Sequence, residues 1–230
     1  AIPAAGAILG SLIAEKVIPL IGGGPVTWSA ALVPAASYAV LGLSTSVVLA
    51  ERLIQLNRDL GKPEDAIATG EEAYRRFDQP RWLLLAMDAA NQARLPAQLS
   101  RLIKIAMTRE SQFLDSEMYW LMQAQLQTHE GKAELAVKHY LQALKVNPAS
   151  TTAKEGALWS LIGLNDKRGL RTYVKTWLAD ASKKQALWGV YGLALVKVGQ
   201  NKEALPWFER KSKTNPDDYL WLLTYADALT

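Results

Sequence analysis

The chain has 230 residues, with 26 Lys and Arg against 22 Asp and Glu, a net charge of +4 and no cysteine. Half of it is apolar and 21% is charged, which excludes an intrinsically disordered chain. The lack of cysteine excludes a disulfide framework, a thiolate metal site and a cysteine nucleophile.

The charge is unevenly spread. Only Glu15 and Lys16 are charged within residues 1–50, and residues 17–50 carry no charge. Two apolar blocks, 1–21 and 26–50, flank Gly22-Gly23-Gly24-Pro25, a turn signal. As a helix the second block would be about 37 Å long, against roughly 30 Å for the hydrocarbon core of a bilayer. Trp28 stands where an interfacial anchor belongs, and a membrane helix tolerates Pro34 better than a soluble one does. Residues 1–50 therefore read as an apolar membrane hairpin, with residues 51–230 as a separate domain. The alternative is a pair of Ala-rich helices buried against a soluble partner or the rest of the chain, because Ser and Thr at 27, 29, 37 and 44–46 dilute the second block. Arg52, Arg58 and Lys62 favour a cytoplasmic side by the positive-inside rule, while Glu51 and Asp59 oppose it, so orientation stays open. No basic segment opens a secretory signal, and the first methionine is Met87, so a processed or partial chain is expected.

From residue 47 onward the chain repeats itself. Residues 117–150 and 185–218 align without gaps at a period of 34. Trp120, Ala124, Gly131, Ala136, Tyr140, Ala143 and Pro148 occupy positions 4, 8, 15, 20, 24, 27 and 32. Trp188, Gly192, Gly199, Ala204, Phe208 and Pro216 repeat that pattern, with Lys211 departing at position 27. Small residues at 8 and 20 let two helices approach. Glycine at 15 permits a left-handed turn, and proline at 32 ends the second helix. The aromatic at 24 fills space against the following repeat. Residues 47–80 keep the period through Gly61, Ala66 and Ala73, with Pro63 opening the second helix. Residues 81–116 are about two residues long for one repeat and carry helices near 82–92 and 97–108. Residues 151–184 keep the length and lose most of the signature, with Asn165-Asp166 as the turn. Residues 219–230 hold only a first helix, with no polar capping helix, so the array is expected to continue.

This pattern resembles the tetratricopeptide repeat (TPR) family. The resemblance implies an all-α solenoid of helix hairpins, about five repeats plus a partial one, winding as a right-handed superhelix. Positions 2, 5, 9 and 12 of each first helix then line the concave face. The implied partner-binding residues are Met118, Leu121, Gln125 and Thr128, then Glu155, Trp159 and Ile162, then Leu193 and Val196. Such a surface suits a partner helix or extended segment. Chaperone-tail TPRs grip a terminal carboxylate with Lys, Arg and Asn. Position 9 here reads Gln125, Trp159 and Leu193, without Asn, which argues against that subclass.

Catalysis finds no support. His129 and His139 have no carboxylate companion at ligand spacing and read as surface residues. The triple glycine lacks the Lys-Ser/Thr of a phosphate loop. Glu71-Glu72 with Arg75-Arg76 reads as i,i+4 pairing on a solvated face. Lys202, Arg210, Lys211 and Lys213 are interrupted by Glu203 and Glu209, too sparse for nucleic acid. No catalytic residue, cofactor or metal site is expected. Trp120 and Trp188 read as packing residues, and Trp159 as the tryptophan best placed for a contact.

Residues 215–229, reading NPDDYLWLLTYADAL, are similar to TPR segments of bacterial Pel-type exopolysaccharide secretion machines. That resemblance implies a scaffold of a membrane-bound biofilm-matrix complex in the cell envelope. It would hold synthase, regulator or export subunits, inner-membrane-anchored in a PelE-like layout or periplasmic in a PelB-like one. Two other readings stay open: a soluble TPR adaptor or co-chaperone with a buried apolar N-terminal segment, and a TPR domain that contacts the polysaccharide itself.

Overall fold

The computed structural model describes the backbone of residues 35–214, with side chains from Val47 onward, together with Leu223 and Ala226. Residues 1–34, which hold the first block and turn of the expected hairpin, lie outside the described residues, as does most of the 215–229 run. Among the described residues no helix is long and apolar enough to cross a membrane. The chain divides into two compact units, Ala1–Ser46 and Val47–Thr230.

The described elements are helical throughout: α1 (Ala35–Asp59), α2 (Pro63–Phe77), α3 (Pro80–Gln92), α4 (Pro96–Met107), α5 (Glu117–His129), α6 (Ala133–Val146), α7 (Thr151–Gly163), α8 (Lys167–Thr176), α9 (Leu178–Lys183), α10 (Trp188–Lys197) and α11 (Asn201–Thr214). Short 3₁₀ turns cover Glu110–Gln112 and Gln185–Leu187. Proline at the first helical position of α2, α3 and α4 starts each helix without losing an intrahelical hydrogen bond. Ser116, Ser150 and Asp166 cap α5, α7 and α8, each accepting a backbone N–H three residues on.

One turn is used five times. Between the paired helices the chain enters the left-handed region at Gly61, Arg94, Gly131, Asn165 and Gly199, with φ of 67°, 55°, 72°, 53° and 85°. The following N–H then reaches back five residues in every case: Lys62 to Asn57, Leu95 to Ala90, Lys132 to Gln127, Asp166 to Leu161 and Gln200 to Leu195, at 2.8–3.0 Å. This is the Schellman closure, which satisfies carbonyls left over at a helix end. Glycine fits at no cost. Arg94 and Asn165 hold the same conformation against their Cβ; Asn tolerates it and marks the turn, whereas Arg94 conceals it.

The small positions act as expected. Ala124 and Ala136 are fully buried between α5 and α6. A Cβ on Gly192 of α10 would stand 2.9 Å from the Phe208 ring of α11. Tyr140 of α6 packs on Gly156 of the following repeat, as the aromatic position requires.

Two departures are informative. The long second repeat spends its extra residues on the connection after α4, which buries Phe113 completely. Its ring meets Tyr74 at 6.2 Å and Tyr119 at 5.5 Å, joining non-adjacent helices. In the fourth repeat the small residue at position 27 is replaced by Trp177. Helix α8 ends there and the chain restarts as α9. Trp177 is 7% exposed and stacks on Tyr173 at 4.5 Å. The broken helix is held from neighbouring elements. The Tyr191 hydroxyl donates to Val174 O, the Trp188 indole N–H to Ala181 O at 3.0 Å, and Lys154 Nζ meets Asp180 at 2.7 Å.

The apolar interior forms two clusters. One runs from Ile54 to Leu126 and the other from Ala124 to Phe208, and the half-buried Trp120 and Leu121 pack against both. The expected i,i+4 pairing on α2 is replaced. Arg75 pairs with Glu72 at i,i+3, 3.0 Å, while Glu71 turns to Arg101 of α4 and so ties two repeats together.

Candidate functional site

Helix α7 carries Gly156, Trp159, Ser160 and Gly163 along one face. Gly163 leaves open space on one side of the indole, and Gly156 makes room for the Tyr140 ring on the other. Helix α6 supplies Ala133 and Tyr140, the last turn of α5 supplies Thr128, and the α5–α6 turn supplies Gly131. These eight residues line an open cleft of about 390 Å³. Its two aliphatic hydroxyls bond within their own helices. Thr128 Oγ1 donates to Ala124 O at 3.0 Å, and Ser160 Oγ to Gly156 O at 2.8 Å. The walls are thereby left mainly apolar, with Trp159 40% exposed at the rim.

Gly156 sets the geometry. A Cβ there would overlap the Tyr140 ring, so only glycine lets the phenol lie flat against α7. Burial pushes the Tyr140 hydroxyl above its ordinary pKa, with the Thr128 hydroxyl opposing the shift and Glu155 adding to it. Tyr140 therefore stays protonated as a wall of the cleft.

One turn before Trp159 stands Glu155. Burial raises its carboxyl pKa, and the Trp159 indole N–H and the charge of Lys211 pull the other way. The indole is thus oriented by a half-buried carboxylate.

Of the nine residues expected on the concave face, Met118, Thr128 and Trp159 are exposed, and Leu121, Gln125, Glu155, Ile162, Leu193 and Val196 are half-buried. Only Thr128 and Trp159 line the cleft, with Glu155 behind them. Leu121, Ile162, Leu193 and Val196 lean on the core. The Gln125 side-chain carbonyl is buried without a hydrogen-bond partner, an acceptor left over on this face. Sequence reasoning missed Tyr140 as a cleft wall, having assigned it to packing, and missed the glycines of α7. The signal was there: Gly156 and Gly163 lie three residues before and four after an aromatic side chain.

The other tryptophans among the described residues are accounted for by packing. Trp82, Trp177 and Trp207 are buried, and the indole of Trp120 donates to Leu114 O at 2.8 Å. His139 is not the surface residue expected from sequence. It is half-buried, stacked on Trp120 at 5.9 Å, and its Nδ1 makes no hydrogen bond. Burial lowers its pKa, with Glu110 opposing the shift and Lys138 adding to it. His129 is exposed at the end of α5. Among the described residues, no group of three or more His, Asp or Glu is placed to hold a metal ion.

The family model described as tetratricopeptide repeat matches residues 42–230. TTC0263, a thermophilic TPR protein of Thermus thermophilus, superimposes with a TM-score of 0.54 at 18% identity, over 77% of this chain and 96% of its own. MamA gives 0.59 at 12% identity, over 76% and 95%. YrrB, a TPR protein with an unusual peptide-binding site, gives 0.59 at 13% identity, over 83% and 97%. Among curated protein sequences no match is found. The structural likenesses establish the fold and the family model establishes the kinship: the chain belongs to the tetratricopeptide repeat family.

Proposed function

We propose that the chain is a non-enzymatic scaffold that holds an extended segment of a partner protein across α5 and α7, with one apolar side chain seated in the cleft beside Trp159. The observation that carries this reading is the cleft itself, about 390 Å³ of open, mainly apolar space walled by Tyr140 and three glycines. TPR folds are generally protein-binding scaffolds, and YrrB is described as having a peptide-binding site. The setting we propose is a bacterial membrane-bound exopolysaccharide synthesis and export complex, with synthase, regulator or export subunits as partners. Its supports are the similarity of residues 215–229 to Pel-type TPR segments and the uncharged stretch 17–50.

A photo-crosslinking residue at Trp159, in the full chain in its native membranes, tests both levels. Crosslinking to one protein partner from 159, and not from the exposed Lys104 of α4, is the expected result. Equal crosslinking from both positions would remove the cleft from the reading. Release of the chain from membranes by carbonate without detergent would favour the soluble adaptor. Loss of glycan binding in Trp159→Ala, with the fold intact, would favour contact with the polymer itself.

A further inference from the structure

Helix α1 has a second apolar face that the array does not use. Ile54, 1% exposed, points into the core. Leu49, Leu53, Leu56 and Leu60 point away from it, exposed by 37%, 40%, 51% and 59%. Their spacing of four, three and four is the heptad rhythm of a helix that pairs with another helix. Leu60 lies just past the helix end but keeps the register, because its N–H bonds to Leu56 O at 2.9 Å. The charged residues beside the stripe are Arg52 and Asp59, one heptad apart on the same flank. Asp59 accepts from Gln55 at 2.8 Å, and neither Arg52 nor Asp59 makes an ion pair among the described residues.

We propose that this stripe is the contact of α1 with α1 of a second copy of the chain, packed antiparallel about a two-fold axis. An antiparallel pair sets a positions of one helix against d positions of the other. Here that places Leu53 against Leu56 of the second copy, and Leu49 against Leu60. The same register brings Arg52 of each copy to Asp59 of the other, twice over by symmetry. A parallel pair would set Arg52 against Asn57 of the second copy and lose that complementarity. The stripe covers about three helical turns, a short contact where a standard interface takes roughly 20–30 residues a side. The pairing is therefore weak and rises with local concentration. It does not involve the cleft at Trp159 and stands or falls apart from the function proposed above.

The absence of cysteine gives a clean test. In the full chain, Leu53→Cys with Leu56→Cys should give a disulfide-linked dimer on mild oxidation, while Lys104→Cys should not. By sedimentation of the detergent-solubilised chain, Leu56→Glu should abolish self-association with an unchanged circular dichroism spectrum. Arg52→Glu and Asp59→Arg should each weaken self-association several-fold, and the combined exchange should restore it. A monomeric wild-type chain at all concentrations overturns the proposal. So does a dimer that survives Leu56→Glu, a combined exchange no better than its singles, or a cysteine pair that links to a different protein. Efficient linkage through Leu53→Cys alone would overturn the antiparallel register.

Discussion

Lys154 sits where the neighbouring repeats place a tryptophan, and its environment makes a quantitative prediction. Its side chain is only 4% exposed, and its ammonium meets Asp180, itself 47% exposed, at 2.7 Å. Removing one partner of a fully buried pair costs about 3–5 kcal/mol, because the other charge is stranded. Asp180 is half in water, so its loss lets solvent approach the ammonium, and Asp180→Ala should cost about 2–3 kcal/mol. Lys154→Met removes the charge and keeps an apolar stem in the tryptophan slot, so it should lie within about 1 kcal/mol of wild type. The double variant should match Lys154→Met, giving a coupling of about 2 kcal/mol. Urea denaturation followed by circular dichroism measures the four stabilities, and hydrogen exchange localises the loss to α8 and α9. For a unit this size Asp180→Ala should lower Tm by about 4–12 °C. If Asp180→Ala is neutral, or if Lys154→Met fails to rescue it, the ion pair does not hold α9 and the reasoning is refuted.

Three further outcomes follow from positions already described. Gly156→Ala forces the Tyr140 ring from α7 into the cleft, so partner crosslinking from 159 should fall sharply while stability drops by about 1–3 kcal/mol; unchanged crosslinking would contradict the role given to that glycine. Arg94→Gly removes a left-handed backbone penalty of about 1–2 kcal/mol and adds roughly 0.5–1 kcal/mol of unfolded-chain entropy. It should therefore raise the urea midpoint modestly at unchanged slope, and a lower midpoint would count against the strain. Glu155 has a raised pKa in the folded protein, so the fold binds its proton more tightly than the unfolded chain does. Stability is lost as pH rises from 4.5 through that raised value, so Glu155→Gln should stabilise the protein at pH 7 and lose this advantage below pH 4.5. An equal gain at both pH values would point to packing instead.

How far the sequence disclosed this structure varied with the residue. Glycine at 61, 131 and 199 marks a left-handed turn openly, because no other residue adopts it so cheaply. At Arg94 the same turn is enforced by its hydrogen bonds and by packing on either side, so the second repeat reads poorly, while Asn165 was legible as a turn residue. Small residues at positions 8 and 20 were legible because close helix approach permits little else. The break at Trp177 was not. A large residue at a small position shows a conflict, but not whether the helix shifts, bends or stops. The cleft was half legible: Trp159 and Thr128 lie at expected concave positions, whereas Tyr140 does two jobs and its packing role hid the other. His139 was misread because burial depends on Trp120, nineteen residues away in sequence and stacked on it in space.

Among the described residues the two apolar clusters share Trp120 and Leu121 alone, and that division bears on how the array comes apart. In a stack where each hairpin touches only its neighbours, cooperativity is transmitted from contact to contact and is weakest where fewest side chains are shared. The joint at α5 is such a place. Under mechanical load, or as denaturant rises, the array should yield there first and in two stages. One block would keep its fold while the other has opened. A stack that can surrender one block without losing the other fails in parts rather than all at once.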